Sequence, residues 1–226
     1  MCGDCWDHVA LDPEHRLIVS AVVGDRTEEQ TQRLVKDFHQ RTEGRLMNLM
    51  TSDENPAYAK AILEVYGQTF QPRRKGKRGR KPAPRKKPPK GLKYATVHKT
   101  RENNRVVKVD RRVIYGTVTA VVVALAASAT SEEVNTVFVE RHNGTDRHHN
   151  ARKVRKTYRF SKDWEVHEAV TCFTLFSYNF CWPVRTLRKR DEQGKWQPRT
   201  PAMAAGLTDH VWSLREWLTL PGVHRQ

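Results

Sequence analysis

The sequence predicts an α/β fold in which a mixed sheet is flanked by helices. Two β-rich runs, Trp6–Asp12 and Arg16–Val23, precede a helix-like stretch at 27–43. Beyond a basic, proline-rich segment at 71–90, another strand-like run, Arg105–Tyr115, is again followed by helical patterns. With 38% apolar content, a chain of 226 residues can bury one sizeable core.

Local signals delimit the first helix. Thr27 and Gln30 have the spacing of a capping box, and Leu34 begins an apolar stripe at helical period. Gly44 is a suitable C-terminal stop. These signals predict a helix over 27–43.

A strand ending at Asp53 and a second helix follow. Asn55 has the character of an N-cap, Pro56 suits the first helical position, and Gly67 ends the helix. In open α/β sheets the carboxyl end of a central strand is where ligands gather, so Asp53 is a candidate site residue. The alternative is that this Ser-Asp pair forms only an Asx turn before the helix.

The segment at 71–90 predicts a basic loop or tether. It contains eleven Lys or Arg, five Pro and no acid, a composition that a packed core cannot accommodate. Proline keeps such a chain extended, so its cations can follow phosphates. The alternative is a solvated linker. The candidate DNA-binding residues here are Arg73, Arg74, Lys75, Lys77, Arg78, Arg80 and Lys81.

After Tyr115 the sequence predicts at least one helix with a polar face. The run Val118–Ala129 suits a strand or a helix, because its Val and Ala have no decisive period. Thr130 and Glu133 predict a capping box that starts the next helix. Three polar residues on this helix are spaced three and four apart and share a face: Glu140, Asn143 and Arg147.

The C-terminal part is predicted to be helical. Ser161 is expected to cap a long helix with a core-facing side, whereas 200–206 and 208–218 predict shorter helices. The residues expected on the core-facing side are Ala169, Phe173, Phe176 and Phe180.

The net charge of +16 predicts a polyanionic partner. No apolar secretory segment follows Met1, so the four cysteines are not expected to form disulfides and a cytoplasmic location is expected. The longest apolar run, Val118–Ala129, is shorter than the ~20 residues that cross a bilayer, so no membrane partner is expected.

Two longer stretches carry a resemblance to a known family. They are TSDENPAYAKAILEVYG at 51–67 and NTVFVERHNGTDRHHNARKVRKTYRFSK at 135–162, with GDRT at 24–27, YNF at 178–180 and RTPAMAAGL at 199–207 in support. Together they resemble the DDE-type transposases of bacterial insertion sequences, particularly the insertion-sequence-one-like group. The order of elements suits a ribonuclease H-like fold that lacks its first strand.

The resemblance implies a division of the chain. Residues 1–70 would form the N-terminal half of the catalytic domain and 93–182 its C-terminal half with the Glu-bearing helix. Residues 71–92 would be a basic, disordered insertion, and 183–226 a helical C-terminal extension.

The resemblance also implies metal-dependent DNA strand cleavage and strand transfer. Such enzymes use two aspartates and a glutamate to hold two Mg²⁺ (or Mn²⁺) ions, and Asp53 and Glu140 match the second aspartate and the glutamate. The partners would be double-stranded DNA, as element ends and target, and further copies of the chain in a homo-oligomer on DNA, in the nucleoid. The residues implied in DNA contact beside the site are Arg141, Asn143, Arg147, Arg152, Arg155, Lys156 and Lys162.

The first aspartate of the family has no match in this sequence. In relatives it lies in an Asp-Glu motif on an opening strand, ahead of a segment resembling GDCWDHVALD at 3–12. We therefore expect an N-terminally truncated chain with greatly reduced or absent catalysis. Asp12 is the nearest substitute, but its place before Pro13 favours a turn residue.

Two further interpretations stay open. The chain could be a catalytically dead DNA-binding remnant or a regulator of an intact transposase, with Glu140 merely pairing with Arg141 or Arg147. An RNA-binding structural protein is less favoured, because the sequence has no RNA-recognition motif.

Overall fold

The protein has a mixed α/β architecture made of two compact units. The computed structural model describes residues 5–73, 81–154 and 157–220. The first unit comprises Met1–Trp6 and Gly24–Thr136, and the second comprises Asp7–Val23 and Val137–Gln226.

In chain order the helices and strands of the described residues are β1 (Trp6–Asp12), β2 (Leu17–Gly24), α1 (Glu28–Arg41), β3 (Met50–Asp53), α2 (Pro56–Tyr66), β4 (Gln68–Phe70), β5 (Arg85–Lys87), β6 (Tyr94–Glu102), β7 (Arg105–Tyr115), α3 (Val118–Ala126), α4 (Val137–His149), α5 (Trp164–Cys181), β8 (Lys189–Arg190), β9 (Trp196–Gln197), α6 (Pro201–Ala204) and α7 (Leu214–Thr219).

The first unit contains a three-stranded mixed sheet in the order β3-β6-β7. Strand β3 runs parallel to β6, with Asp53 opposite Val97, and β6 runs antiparallel to β7. Successive side chains of β6 belong to different cores because they point to opposite faces of the sheet. Tyr94 packs into a cluster with residues of α1 and α2, and Ala95 packs into a cluster with Val121 of α3.

The first two helices begin and end where the sequence predicted. The Thr27 hydroxyl accepts a hydrogen bond from the Gln30 amide at the start of α1, and the Asn55 side chain accepts one from the Ala57 amide at the start of α2. Gly44 follows α1 with a φ of +72°, a left-handed conformation that glycine adopts without steric cost. Both helix predictions are confirmed.

The basic segment is only partly a loop. Strand β5 pairs antiparallel with β4, with Phe70 opposite Arg85. The Lys86 ammonium donates to the backbone carbonyl and the carboxylate of Glu64, so β5 is fixed by charge-assisted hydrogen bonds. The prediction of a tether throughout 71–90 is wrong for Arg85–Lys87.

The run Val118–Ala129, for which the sequence allowed either a strand or a helix, forms a helix over Val118–Ala126. Helix α3 begins after Thr117, whose hydroxyl accepts from the Ala120 amide. The predicted capping box at Thr130 and Glu133 is wrong, since α4 begins at Val137. Glu133 is engaged elsewhere, because its carboxylate pairs with Arg111 of β7.

The second unit contains the paired strands β1 and β2, the long helices α4 and α5, and the short C-terminal elements. Helix α5 is capped by Asp163, not by Ser161, whose hydroxyl contacts His167 Nδ1 at 3.0 Å. Helix α6 follows Thr200 as predicted, but α7 begins only at Leu214, so the predicted helix from 208 is wrong over its first half.

The predicted core-facing side of α5 is also wrong. Ala169 and Phe173 are exposed, and Phe176 and Phe180 are half-buried. The buried face instead carries Thr171, Leu175, Ser177, Tyr178 and Asn179. On this face the Asn179 side chain bonds to the backbone of Ile18 in β2.

Candidate functional site

Asp53 lies at the carboxyl end of β3 with its carboxylate exposed. Within the described residues no hydrogen bond or salt bridge reaches this carboxylate, although Ser52 beside it shares a 2.7 Å hydrogen bond with the Tyr94 hydroxyl. Strand β3 is the edge of its sheet as described, not a central strand. The position is thus a strand end with an available acid, without a neighbouring strand on its outer side.

The surroundings of Asp53 keep two phenols protonated. Burial, aided by the charge of Asp53, raises the pKa of Tyr58 to about 12. Burial also raises the pKa of Tyr94 to about 12, against the opposing hydrogen bond from Ser52. Two neutral phenolic side chains therefore lie near Asp53.

The adjacent acid, Glu54, is committed to protein partners. Its two carboxylate oxygens contact Arg112 and His98 on the neighbouring strands. A carboxylate whose two oxygens are both engaged, one of them by the Arg112 guanidinium, is poorly suited to bind a cation. The two neighbouring acids thus differ in availability, and Asp53 is the one that could act as a ligand.

Helix α4 of the second unit presents two different faces. Glu140 in its first turn and Arg147 in its last turn are exposed, and Asn143 between them is half-buried. The shared face predicted from their spacing is confirmed. Arg141 is turned away from this face and lines a cavity on the other side of the helix.

A buried ion cluster holds α4 in its unit. The Lys153 ammonium lies 2.6 Å from an Asp146 carboxylate oxygen and 2.8 Å from an Asp7 oxygen. Burial is the largest influence on Asp146 and raises its pKa, while the Lys153 hydrogen bond opposes that change. Sequence reasoning missed this cluster. The one local sign of such a cluster in the sequence was Asp146, an acidic residue inside a basic stretch and four residues after His142.

The predicted DNA-binding residues differ in how exposed they are to solvent. Arg73, Lys81, Arg141, Arg147 and Lys162 are exposed, whereas Asn143 and Arg152 are half-buried. The Arg152 guanidinium is 3.5 Å from the Ser161 hydroxyl. The predicted residues that lie outside the described ranges are Arg74, Lys75, Lys77, Arg78, Arg80, Arg155 and Lys156.

Two described residues of the basic segment, Gln71 and Pro82, are hydrogen-bonded to each other. The Gln71 side chain donates to the Pro82 carbonyl at 2.5 Å, directly beside the β4–β5 ladder. Arg73 and Lys81 flank this contact in the sequence. Arg73 and Lys81 therefore lie close in sequence to a hydrogen-bonded part of the first unit.

Asp12 is used in the turn between β1 and β2. One carboxylate oxygen accepts from the Glu14 amide at 2.9 Å, and the other lies 2.6 Å from His15 Nδ1. These contacts are those of an Asx turn. They support the turn role expected for Asp12.

Asp53 belongs to the first compact unit and Glu140 to the second. Their convergence on one metal pair stays a prediction. In the described part of the chain, no helix has both the length and the apolar character needed to cross a bilayer. Comparisons with protein-family models, curated proteins and solved structures give no significant match to this chain.

Proposed function

We propose that this chain is the catalytic domain of a DDE-type transposase, with a ribonuclease H-like fold. The observation that carries the proposal is the exposed Asp53 carboxylate at the end of β3, which has no hydrogen-bonding partner among the described residues while Glu54 beside it is paired twice. It coincides with the aspartate position of the family resemblance at 51–67.

The donor set suits a hard divalent cation. Carboxylate oxygens and water are the ligands that Mg²⁺ prefers, and Asp53 and Glu140 are exposed carboxylates that would hold Mg²⁺ or Mn²⁺. Bound metal would stabilise charge on the attacking and leaving oxygens of an in-line phosphoryl displacement. The attacking group would be water in strand cleavage and a DNA 3′-hydroxyl in strand transfer.

The basic residues would position the DNA. Arg147 shares the Glu140 face of α4, and Arg73 and Lys81 flank the run of cations in the basic segment. Contacts from such side chains to phosphates fix the register of a duplex without reading its sequence. We propose that element ends and target DNA are held in this way, within a homo-oligomer assembled on DNA.

The test is nicking of supercoiled plasmid carrying the cognate element ends, in Mg²⁺ or Mn²⁺. Nicking by the unmodified chain should be weak, because only two of the three family carboxylates have a match in its sequence. Asp53→Asn and Glu140→Gln should each abolish it, because each removes a metal ligand while keeping the side-chain shape. Glu165→Gln is a matched control, since Glu165 also lies exposed in the first turn of a helix of the second unit. Nicking that survives both ligand substitutions would refute the assignment.

The second candidate function is DNA binding without catalysis, as a remnant or as a regulator of an intact transposase. It is favoured by the net charge of +16 together with a match to only two of the three family carboxylates. It predicts duplex binding in EDTA that Asp53→Asn leaves unchanged, with no nicking by the unmodified chain. Metal-dependent nicking by the unmodified chain would exclude it.

A further inference from the structure

The second unit contains a basic cavity of about 270 Å³ between β1, the turn after it, α4, α5 and the segment after α5. Three arginines from separate parts of that unit line it: Arg16, Arg141 and Arg185. Among the described residues that line this cavity there is no Asp or Glu. Three cations facing one small cavity repel each other, so the arrangement favours an anionic occupant.

Arg16 is held in this cavity at a conformational cost. Its φ is +57°, in the left-handed region where a turn ordinarily favours glycine or asparagine. The guanidinium lies 4.0 Å from the centre of the Phe138 ring and donates to the Pro13 carbonyl at 2.6 Å. Burial, with a contribution from nearby Arg141, lowers the pKa of Arg16. A strained, partly desolvated and well-positioned cation is typical of a ligand site.

His142 lines the same cavity with unused hydrogen-bonding capacity. It is 5% exposed, and neither ring nitrogen has a hydrogen-bond partner among the described residues. Burial is the main cause that lowers its pKa to about 4, so the ring is neutral near pH 7 and offers one N–H donor. Its ring packs edge-on against Tyr178, with centroids 5.0 Å apart. A buried, unsatisfied polar group of this kind calls for an explanation, and a bound ligand supplies one.

A second cavity adjoins the first. Its volume is about 260 Å³, and it shares Val184 and Arg185 with the first cavity. Trp196 of β9 lines it and is 45% exposed, with the guanidinium groups of Arg188 and Arg190 lying 4.0 Å and 4.9 Å from its ring centre. Indole rings and guanidinium planes both stack nucleobases, so this group of one indole and two guanidiniums can take a base in exchange for one of the existing cation–π contacts.

We propose that these two adjoining cavities bind a single-stranded nucleic-acid segment, with a backbone phosphate at Arg16, Arg141 and Arg185 and a neighbouring base on Trp196. Each cavity is too small for a base pair and suits a phosphate with its sugar or a single base. Basic side chains alternating with an aromatic platform are the usual means of holding a single strand. A free phosphate ion would use only the first cavity.

The experiment is fluorescence anisotropy of the full chain with a labelled ten-nucleotide oligothymidylate and with a blunt duplex of equal length, in EDTA. The chelator removes metal chemistry, so a failure of strand cleavage leaves this binding test unaffected. Arg16→Gly and Trp196→Ala should each weaken single-strand binding roughly tenfold or more, because each removes a charged hydrogen-bonding group or a stacking surface. The salt slope of Arg16→Gly should flatten by about 0.7, the value for one single-strand phosphate.

Two features keep the result interpretable. Glycine tolerates the left-handed conformation at position 16, so Arg16→Gly should fold, and circular dichroism with a thermal melt verifies this for every variant. Arg215→Ala is the control, because Arg215 is an exposed cation of the same unit that lines neither cavity. It should leave single-strand affinity unchanged.

Three results would overturn the proposal. Folded Arg16→Gly and Trp196→Ala variants that bind the oligonucleotide as the unmodified chain does would show that the cavities are not used. Equal losses for duplex and single strand would assign the arginines to a duplex backbone. Competition by millimolar inorganic phosphate, with Trp196→Ala unchanged, would indicate a pocket for a free anion.

Discussion

The Asn179 side chain of α5 bonds to both backbone polar groups of Ile18 in β2. Its Oδ1 accepts from the Ile18 amide at 2.9 Å, and its Nδ2 donates to the Ile18 carbonyl at 2.8 Å. The Asn179 side-chain amide thus pairs with the backbone N–H and C=O of Ile18, as the backbone of a neighbouring strand would. Asn179 belongs to the YNF motif of the family resemblance, which therefore has a structural role in this chain.

Replacing Asn179 should destabilise the protein strongly. Asn179→Ala removes two hydrogen bonds at a side chain that is 3% exposed and leaves the Ile18 groups unpaired. We expect a loss of about 3 kcal/mol in the free energy of unfolding, measured by urea denaturation. Gln193→Ala, in the exposed turn before β9, should change it by less than about 0.5 kcal/mol. A loss below about 1 kcal/mol for Asn179→Ala would show that the pairing contributes little.

His142 should make the protein sensitive to acid. The pKa of this ring falls from its ordinary value of 6.5 to about 4 in the fold, chiefly through burial. Between these values the unfolded chain binds a proton that the folded chain does not, so stability decreases as the pH drops from 6.5 to 4. The full effect is about 3 kcal/mol.

The test is the pH dependence of urea unfolding for the unmodified chain and for His142→Phe. Phenylalanine retains the ring packing against Tyr178 and removes two buried nitrogens that have no hydrogen-bond partner in the described part of the chain, so the variant should fold. Its stability should fall much less between pH 6.5 and 4. Parallel curves for the two proteins would contradict the explanation.

Lys153 should be required for the second unit to fold. Its ammonium is buried between Asp146 and Asp7, so Lys153→Met leaves buried carboxylates without a counter-ion. The expected loss is about 3–5 kcal/mol in the free energy of unfolding. Adding Asp146→Asn and Asp7→Asn to Lys153→Met should restore most of it, because the buried charges are then removed together. A triple variant no more stable than Lys153→Met would show that packing, not charge, is responsible.

The basic segment should determine much of the salt dependence of duplex binding. Seven Lys or Arg lie between residues 73 and 81. Replacing them with Ser or Gln should flatten the plot of log K against log salt by about 0.9 for each phosphate that the segment no longer neutralises. Replacing Lys36 and Lys60, which are exposed on α1 and α2, should leave the slope unchanged. An unchanged slope in the first variant would remove this segment from the DNA interface.

Short-range signals predicted much of the fold. The caps at Thr27 and Asn55, the glycine at 44 and the strand Arg105–Tyr115 all depend on residues within a few positions of each other. Such signals act in the local backbone and are readable from one sequence.

The wrong predictions and the missed cluster depend on distant partners. Glu133 pairs with Arg111 and does not cap a helix, and the buried face of α5 carries Asn179, whose partner Ile18 lies 161 positions away. Lys153 likewise meets Asp7 across 146 positions. The periodicity and spacing of residues in the sequence do not identify such long-range partners. At the candidate site, Arg112 and His98 contact Glu54 and not Asp53, which leaves the Asp53 carboxylate available. This pairing also joins distant residues, so local sequence signals do not predict it.

The most direct test of the central claim is a double-mutant cycle on Mn²⁺ binding, followed by electron paramagnetic resonance of the free ion. If Asp53 and Glu140 hold the same metal, Asp53→Asn and Glu140→Gln should each weaken binding at least about tenfold, and the double variant should bind about as weakly as either single one. Two single variants that bind Mn²⁺ as the unmodified chain does, or two losses that add in full, would contradict a shared site.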